Sequence, residues 1–309
     1  MYKIKEKKTN TLVVLNQKSG NYKALSLFNN IKDVIENNYL IFISDNKEDT
    51  FNLLKIIDQK QIKYIIGVGG DGTINQILES ILFINPEIVL GHIPAGTGNG
   101  LSASILYKNN LEYSINNSVK AINRNKIDTI DIAKIQFQNS TKHCFLALSI
   151  GFISNLDINT EIIRCIGSYR YYLGSVIGLY QMKSYYLEID YLDFDNQWSN
   201  IRDRFILFWS TNVSHPSYDV FISKDIKYND GYHHIVLIKD SISRLDMLKI
   251  LLGLDQGNIL ENPNVIYIKT KKYKVKVDEE DQGILTIDGE KAAYKSFKVN
   301  VESKINILG

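Results

Sequence analysis

Apolar and polar positions in the first part of the chain follow two alternating patterns. Short runs of consecutive apolar residues, typical of strands buried on both faces, occur at 11–17, 39–44, 64–68 and 88–93. After each run comes a polar or glycine-rich turn and then apolar residues at helical spacing, at 24–35, 48–57, 73–83 and 101–108. Regular alternation of strand and helix predicts an α/β domain with a parallel sheet.

Beyond about residue 130 the pattern becomes mainly strand-like. Closely spaced short runs occur at 132–137, 145–152, 186–192, 204–212, 233–239, 264–270, 273–277 and 283–288. Helical patterns interrupt them at 160–182 and 243–254. Such spacing is typical of antiparallel sheets, and it predicts a mostly antiparallel C-terminal domain. We therefore place two domains at 1–132 and 133–309.

Composition and charge narrow the function classes. The chain of 309 residues has 36 lysines and arginines against 34 acids, a formal net charge of +2. That balance disfavours a nucleic-acid partner, which normally requires a strongly basic surface. Cys144 and Cys165 form no CxxC pair, and the five histidines show no ligand spacing, which is typical of a reducing compartment without a metal site. No signal peptide and no apolar stretch of roughly 18 residues is evident, so we expect a cytoplasmic protein.

Three polar or glycine-rich turns lie at the carboxyl ends of predicted strands. Their sequences are NQKSG at 16–20, GGDG at 69–72 and PAGTGNG at 94–100. Glycines let the backbone N–H groups approach a phosphate closely, and the start of a helix favours the same anion. Three such turns at one edge of a parallel sheet predict a nucleotide site. Neither a GxxxxGK[ST] motif nor a GxGxxG motif in the first turn is present, which disfavours P-loop and dinucleotide-binding folds.

Asp71 stands in the middle of the turn at 69–72, where a carboxylate would repel a phosphate. A role other than phosphate binding is needed, and proton abstraction from a hydroxyl is one that a carboxylate can perform. The alternative is a tight strand-to-helix connection with no ligand.

These motifs carry a family resemblance. GVGGDGTINQIL and IPAGTGNGLS resemble the diacylglycerol kinase catalytic domain superfamily. The later stretch SIGFISNLDINTEIIRCIGSYRYYLGS and the motif TIDGE are similar to those of the sphingosine kinases. The similarity extends from Leu12 to about Val301, with the motifs in the same order, and the chain is identified as a member of this lipid kinase superfamily.

The resemblance implies an ATP-dependent lipid kinase with an NAD kinase/diacylglycerol kinase-like nucleotide-binding domain and a lipid-binding β-sandwich domain. It makes Asp71 the general base for the lipid hydroxyl, with Gly69, Gly70 and Gly72 in the substrate-binding turn that holds the γ-phosphate. A positioned base accelerates such a reaction roughly a hundredfold to ten-thousandfold. Mg²⁺ is expected with ATP, but no motif identifies its ligands.

The resemblance also implies a set of ATP contacts: Asn16, Gln17, Lys18, Ser44, Gln76, Thr97, Gly98, Asn99, Arg164, Arg170, Asp288, Gly289 and Glu290. The two arginines suit phosphate oxygens because guanidinium groups donate in a fork; the alternative for them is a solvated helix face. Three positions depart from the family pattern, since Gln76 replaces a glutamate, Gln17 replaces a proline and Lys18 replaces a frequent arginine. These changes put nucleotide affinity in question.

Asp157 separates lipid classes. The matching acid of the sphingosine kinases binds the polar head of the long-chain base, and a carboxylate suits an ammonium and a hydroxyl together. The alternative is an acidic cap of the helix predicted from Thr160. The apolar segment 166–182 is interpreted either as core or as the lining of a lipid-tail channel. The alternating lysines of 269–277 indicate a solvated strand face, with anionic-membrane contact as the less favoured alternative.

The sequence therefore predicts a kinase for the primary hydroxyl of a sphingoid base, acting at membrane surfaces. A kinase for diacylglycerol or ceramide is the alternative, followed by an NAD kinase and by an inactive lipid-binding homologue. Oligomeric state, including a homodimer, stays open.

Overall fold

The computed structural model describes residues 9–22, 24–36, 38–44, 50–160 and 169–309. The chain divides into two compact units. The N-terminal unit is Met1–Ile130 together with Lys304–Gly309, and the C-terminal unit is Asp131–Ser303. Among the described residues, no helix has both the length and the apolar character needed to cross a membrane.

The N-terminal unit contains a parallel sheet. Its strands lie in the order β2, β1, β3, β4 and the end of β15, and each neighbouring pair is parallel. Consecutive apolar residues make these strands because both faces of the sheet are covered. The strand bounds are β1 Thr11–Asn16, β2 Leu40–Ser44, β3 Tyr64–Gly69, β4 Val89–Pro94 and β15 Phe297–Leu308.

Helices cover this sheet and bury its apolar side chains. Phe28 and Ile31 of α2 share one core with Val119 and Ile122 of α6. On α4, Ile74 and Ile77 pack where Gly67 of β3 has no side chain, since a Cβ there would lie 2.6 and 2.8 Å from their Cδ1 atoms. The helix bounds are α1 Ser19–Tyr22, α2 Ala24–Ile31, α3 Thr50–Lys60, α4 Asp71–Ile84, α5 Gly100–Lys108 and α6 Ile115–Asn123.

The C-terminal unit is mainly antiparallel. Its strands run in the order β14, β13, β7, β9, β8, β12 and β15, while β10 joins β9 to β11 and β5 joins β15 to β6. The strand bounds are β5 Ile127–Gln136, β6 Thr141–Cys144, β7 Ala147–Gly151, β8 Tyr185–Leu192, β9 Trp198–Thr211, β10 His233–Lys239, β11 Val265–Thr270, β12 Lys272–Val277, β13 Leu285–Ile287 and β14 Glu290–Ala292. Inward-facing side chains of many of these strands form one core, which includes Leu187, Phe208, Leu237 and Val275.

Among its described residues, the C-terminal unit has three α-helices: α7 Phe152–Asn159, α8 Tyr169–Gln181 and α9 Arg244–Leu252. They pack over a second core on the sheet, which includes Phe152, Trp209, Met247 and Ile250. Ser243 caps α9, because its Oγ accepts a hydrogen bond from the Asp246 N–H at 3.1 Å.

The predicted fold class is confirmed, with a parallel α/β part followed by a mainly antiparallel part. Differences concern particular elements. Helix α4 begins at Asp71 rather than at residue 73, so Asp71 is the first helical residue and is not in the middle of a turn. The helix predicted at 160–182 is described as α8, and 161–168 lie outside the described residues. Helix α6 and strand β15 were not predicted.

Candidate active site

The two glycine-rich turns of the N-terminal unit touch backbone to backbone. A Cβ built on Gly96 would lie 2.4 Å from the Gly70 Cα, closer than real side chains approach. Below this contact, the Gly69 carbonyl accepts a hydrogen bond from the Ala95 N–H at 2.8 Å. The parallel pairing of β3 with β4 brings the two strand ends level, with Gly69 opposite Pro94. The first glycine-rich turn, at 69–72, and the second, at 94–100, therefore lie side by side at one edge of the sheet, as expected for the ends of neighbouring parallel strands.

Asp71 lies at the junction of these turns and is half-buried. Its Oδ2 accepts a hydrogen bond from the Gly100 N–H at 3.1 Å. Asp71 is the first residue of α4 and Gly100 is the first residue of α5, so the carboxylate lies at the positive ends of two helices. A Cβ at Gly98 would lie 2.9 Å from the same oxygen. The second turn thus holds the carboxylate in one orientation.

Asn99 shapes the second turn. It takes up a left-handed backbone conformation with φ of 54°, which asparagine tolerates better than most residues. Its side-chain oxygen accepts the Gly96 N–H at 3.0 Å, and its amide donates to the Gly96 carbonyl at 2.8 Å and to the Tyr113 hydroxyl at 3.0 Å. These bonds use the whole side chain, so Asn99 fixes the turn that was expected to bind ATP.

The polar turn at 16–20 lies beside the two glycine-rich turns. The Asn16 side-chain amide donates to the Thr73 Oγ1 at 3.0 Å, and its oxygen accepts the Lys18 N–H at 3.0 Å. The Gly70 N–H donates to the Ser19 Oγ at 3.4 Å. All three turns are therefore linked by hydrogen bonds within one unit.

Four other predicted ATP contacts lie around these turns. The Gln17 N–H donates to the carbonyl of Ser44, a buried residue at the end of β2, at 3.2 Å. Thr97 is partly exposed in the second turn, and Gln76 is partly exposed on α4. Contact of these residues with ATP stays a prediction.

His92 lies beneath the turns and was not predicted as a site residue. It is buried on β4, and its Nε2 lies 3.1 Å from the Gly69 carbonyl oxygen. Desolvation by burial lowers the pKa of His92 to about 4, which the bond to Gly69 opposes. A neutral imidazole that donates to Gly69 therefore supports the turn at neutral pH. No short motif marks such a residue, because its role depends on the register of β3 against β4.

In the C-terminal unit, Asp157 lies in the last turn of α7 and is partly exposed. The interpretation of Asp157 as a helix cap at Thr160 is wrong, since α7 begins at Phe152. Helix α8 packs closely on α7: Cβ atoms on Gly174 and Gly178 would lie 2.6 Å from Thr160 Cγ2 and 2.7 Å from Phe152 Cε2.

The lipid-tail channel, one of the two interpretations of 166–182, stays a prediction. Val176, Ile177 and Tyr180 are largely exposed on the outer side of α8. Gly174 and Gly178 supply the inner side through their contacts with α7.

The motif TIDGE forms a tight hairpin. Strands β13 and β14 are joined by Asp288 and Gly289, both with positive φ (50° and 78°), which is the geometry of a two-residue hairpin turn.

The Asp288 carboxylate points into the unit and does not extend into solvent. It accepts the N–H groups of Phe145, Leu146 and Ala147 at 3.2, 2.9 and 3.1 Å, and the Cys144 thiol at 3.1 Å. Burial raises the pKa of Asp288, although these hydrogen bonds oppose the shift. These contacts give Asp288 a structural role; ATP contact by Asp288, Gly289 and the exposed Glu290 stays a prediction.

Two arginines expected at the phosphates cannot be placed. Arg164 lies outside the described residues, and only the backbone of Arg170 is described, on α8. In the described ranges, no group of three or more histidine, cysteine, aspartate or glutamate side chains is placed to hold a metal ion. The ligands of the expected Mg²⁺ thus stay unassigned.

Comparison with known proteins covers most of the chain. The family profile "Diacylglycerol kinase catalytic domain" matches residues 10–135. Sphingosine kinase 2 of Arabidopsis thaliana is 27% identical over 77% of this chain and 58% of its own length. A diacylglycerol kinase of Staphylococcus haemolyticus is 28% identical over 73% of this chain and 64% of its own length. The chain thus spans less than two thirds of each of these relatives.

A crystal structure of a diacylglycerol kinase from Bacillus anthracis str. Sterne covers 96% of both chains with a TM-score of 0.65 and 16% identity. At that identity the likeness extends to the fold alone.

Proposed function

We infer that this chain, a member of the lipid kinase family built on the diacylglycerol kinase catalytic domain, phosphorylates the primary hydroxyl of a sphingoid long-chain base with ATP. Kinase chemistry on a lipid follows from the family. The sphingoid base is the finer part of the proposal. It is supported by the relatives named as sphingosine kinases and by the acid at Asp157.

The placement of Asp71 carries the proposal. Its carboxylate takes the proton of the acceptor hydroxyl while that oxygen attacks the γ-phosphorus, and the bond to the β–γ bridging oxygen breaks to release ADP. An alcohol is a poor nucleophile without such a base. The hydrogen bond from Gly100 fixes the orientation of the carboxylate before the acceptor arrives, which reduces the reorganisation that the reaction requires.

The second turn supplies the phosphate side of the site. The turn at 95–99 leads into α5, whose positive end favours phosphate oxygens. The close approach of the Gly70 and Gly96 backbones leaves no room for a side chain between the two turns. Mg²⁺ bound with ATP would neutralise phosphate charge at this place. The chain's own contribution is to position the γ-phosphate beside Asp71.

Asp157 supports the choice of a sphingoid base. A carboxylate in the last turn of a helix lies near the negative end of the helix dipole, where it is unfavourable. A position that breaks a local rule is a candidate functional site. We propose that Asp157 pairs with the ammonium and hydroxyl of the lipid head, which diacylglycerol could not provide because it has no cation.

The acceptor is tested with purified protein, ATP and either sphingosine or diacylglycerol in detergent micelles. We expect phosphorylation of sphingosine, and Asp71→Asn to lower kcat roughly a hundredfold or more. Asp157→Asn should raise the KM for sphingosine while leaving the KM for ATP unchanged. Equal changes in both KM values would remove Asp157 from the head-group site.

A diacylglycerol kinase is the second candidate, favoured by the relative of that name in Staphylococcus haemolyticus. Phosphorylation of diacylglycerol but not of sphingosine would establish it instead. ATP consumption that does not depend on added lipid, or that survives Asp71→Asn, would contradict both candidates. We propose further that the protein is cytoplasmic and meets its acceptor by peripheral contact with a membrane.

A further inference from the structure

Asn99 stands at the start of α5, but its side chain does not cap the helix. An asparagine at this position ordinarily accepts a hydrogen bond from an N–H group of the first helical turn. The Asn99 side chain makes no such bond and turns back to the N–H and the carbonyl of Gly96. Its carboxamide therefore holds the second turn together, while the N–H of Gly100, the first residue of α5, donates to the Asp71 carboxylate.

The Tyr113 hydroxyl is the third partner of Asn99. Asn99 is 3% exposed, so water has almost no access to its amide group. That amide has two hydrogens and two acceptors, the Gly96 carbonyl at 2.8 Å and the Tyr113 hydroxyl at 3.0 Å. A buried N–H that loses its acceptor is costly. Tyr113 therefore satisfies the amide hydrogen that the turn does not.

The backbone of Asn99 depends on such contacts. Its φ of 54° and ψ of 38° are left-handed, a conformation that residues with a Cβ adopt at a cost. A costly conformation persists where the surrounding contacts hold it. Of the three side-chain bonds of Asn99, two are to Gly96 of the same turn, whereas the bond to Tyr113 anchors the turn to another segment.

Tyr113 lies in the link between α5 and α6, and both of its neighbours in sequence are bonded to α6. The Asn117 side-chain amide donates to the Glu112 carbonyl at 2.8 Å. The Asn117 N–H donates to the Ser114 Oγ at 3.1 Å. These two bonds fix the backbone on each side of Tyr113, so the position of its ring is set by the start of α6.

A buried contact also joins α5 to α6. The hydroxyl oxygens of Ser102, on α5, and Ser118, on α6, lie 3.0 Å apart, and both residues are buried. The Ser118 hydroxyl also donates to the Ser114 carbonyl at 3.0 Å. The packing of these two helices therefore sets the distance between Asn99 and Tyr113.

We propose that Tyr113 is a positioning residue of the kinase reaction. Its hydroxyl keeps the Asn99 side chain facing Gly96, and this in turn keeps the second turn in the shape that places the Gly100 N–H on Asp71. Tyr113 acts through Asn99 and needs no contact with either substrate. The inference rests on the proposed kinase function, since the second turn is a phosphate site only if ATP binds there.

Tyr113→Phe tests the role of the hydroxyl because it keeps the ring. Isothermal titration calorimetry measures the affinity for adenylyl imidodiphosphate, a non-hydrolysable ATP analogue, with Mg²⁺ and without lipid. We expect the dissociation constant to rise about tenfold, because the Asn99 amide loses an acceptor in a buried place. In the kinase assay, kcat/KM for ATP should fall by a similar factor, while the KM for sphingosine stays within about twofold of wild type.

A double-variant cycle tests whether Tyr113 acts through Asn99. Asn99→Gly removes the carboxamide, and glycine adopts the left-handed backbone without a penalty. In the Asn99→Gly background, Tyr113→Phe should therefore cause no further change in the dissociation constant of the analogue. Additive effects of the two substitutions would contradict the route through Asn99.

Tyr39→Phe is the matched control. The Tyr39 hydroxyl donates to the Lys32 carbonyl at 3.0 Å, so this variant also loses one hydroxyl hydrogen bond of the N-terminal unit. Tyr39 directly precedes β2, whereas the turns follow the carboxyl ends of the parallel strands. Its substitution should leave the affinity for the analogue unchanged.

The outcomes separate the inference from the proposed function. A Tyr113→Phe protein that melts at a lower temperature but has wild-type nucleotide affinity and kinetics would overturn the inference and limit Tyr113 to a structural role. Wild-type protein that fails to bind the analogue would overturn both proposals. Wild-type protein that binds the analogue but does not phosphorylate sphingosine would overturn the proposed acceptor alone, and the affinity of Tyr113→Phe would still decide the role of Tyr113.

Discussion

Gly96 has no side chain, and the backbone of the neighbouring turn occupies the space that one would fill. The Gly70 Cα would lie 2.4 Å from a Cβ at this position. Backbone cannot move aside as the end of a flexible side chain can, so an added methyl group must push the two turns apart. The carboxylate of Asp71 is held by the second turn, and it would move with that displacement.

We therefore expect Gly96→Ala to lower both kcat and the melting temperature. Gly91→Ala is a matched control in the same strand region, because a Cβ there would make ordinary contacts of 3.4 Å with Ile122 and Leu308. Steady-state kinetics and thermal melting of both variants check the prediction. Equal kinetics for the two variants would show that the close approach of the turns is not needed for catalysis.

His92 gives a second prediction at this scale. His92→Leu removes the donor to the Gly69 carbonyl, whereas His92→Gln retains a side-chain N–H. We expect the leucine variant to lose activity about tenfold and the glutamine variant to recover part of it, since a lost buried hydrogen bond costs about 1–3 kcal/mol. Activity and melting temperature measured together check the result. Loss of stability without loss of activity in the leucine variant would limit His92 to a structural role.

Sequence alone marked Asp71 and the glycine turns as candidate site residues, because their residue types are unusual for the places they occupy. It did not identify the partners of these residues. Gly100 and His92 contact the first turn only through the register of β3 with β4 and the start of α5. Such contacts join residues that are distant along the chain, and no local pattern encodes them.

At the scale of elements, the β13–β14 hairpin shows one motif with two possible uses. The motif TIDGE was expected to contact ATP. The same residues also form a tight two-residue turn, in which the Asp288 carboxylate is buried. The three backbone N–H groups held by Asp288 would otherwise be buried without partners.

We expect Asp288→Asn to destabilise the protein by about 1–3 kcal/mol, because the new amide group presents a donor to the Phe145 N–H. The KM for ATP should stay within about twofold of wild type. Urea unfolding and ATP kinetics measure the two effects separately. Glu290→Gln, exposed in the same hairpin, is the control, with an expected change of about 0.5 kcal/mol or less. A large rise in the KM for ATP with unchanged stability would instead favour the ATP contact.

Two elements that were not predicted carried local signals. Ser114 caps α6, with its Oγ accepting the Asn117 N–H at 3.1 Å, and it stands directly before the buried positions Val119 and Ile122. Strand β15 alternates buried and more exposed residues: Phe297 and Val299 are buried, and Lys298 between them is exposed. The exposure of Leu245, Leu248 and Leu252 on α9 could not be predicted, because their spacing is the same as in a buried helix.

At the scale of the whole molecule, fully buried histidines predict sensitivity to acid. Burial lowers the pKa of His92 to about 4 and that of His233 to about 3. The unfolded chain, with histidine near 6.5, binds more protons, so the stability contributed by these neutral side chains is present above about pH 6.5 and is lost as the pH falls toward the folded-state values.

We expect each of these histidines to reduce the free energy of unfolding by about 2 kcal/mol between pH 7 and pH 5. Urea unfolding at the two pH values measures the change. Between the same two pH values, the free energy of unfolding of His92→Gln should fall by about 2 kcal/mol less than that of wild type, because the variant lacks one buried histidine. An identical pH dependence in the variant would contradict the assignment to His92.

Strand β15 also has a consequence for the synthesis of the protein. Residues 304–309 of β15 belong to the N-terminal unit, where Asn306 and Ile307 pair with Val89 and Leu90 of β4. During translation the ribosome must make the whole C-terminal unit before these residues emerge. Until then β4 has an unpaired edge, the kind of edge that invites aggregation or chaperone binding. The nascent N-terminal unit therefore waits for the last part of this chain to complete its sheet.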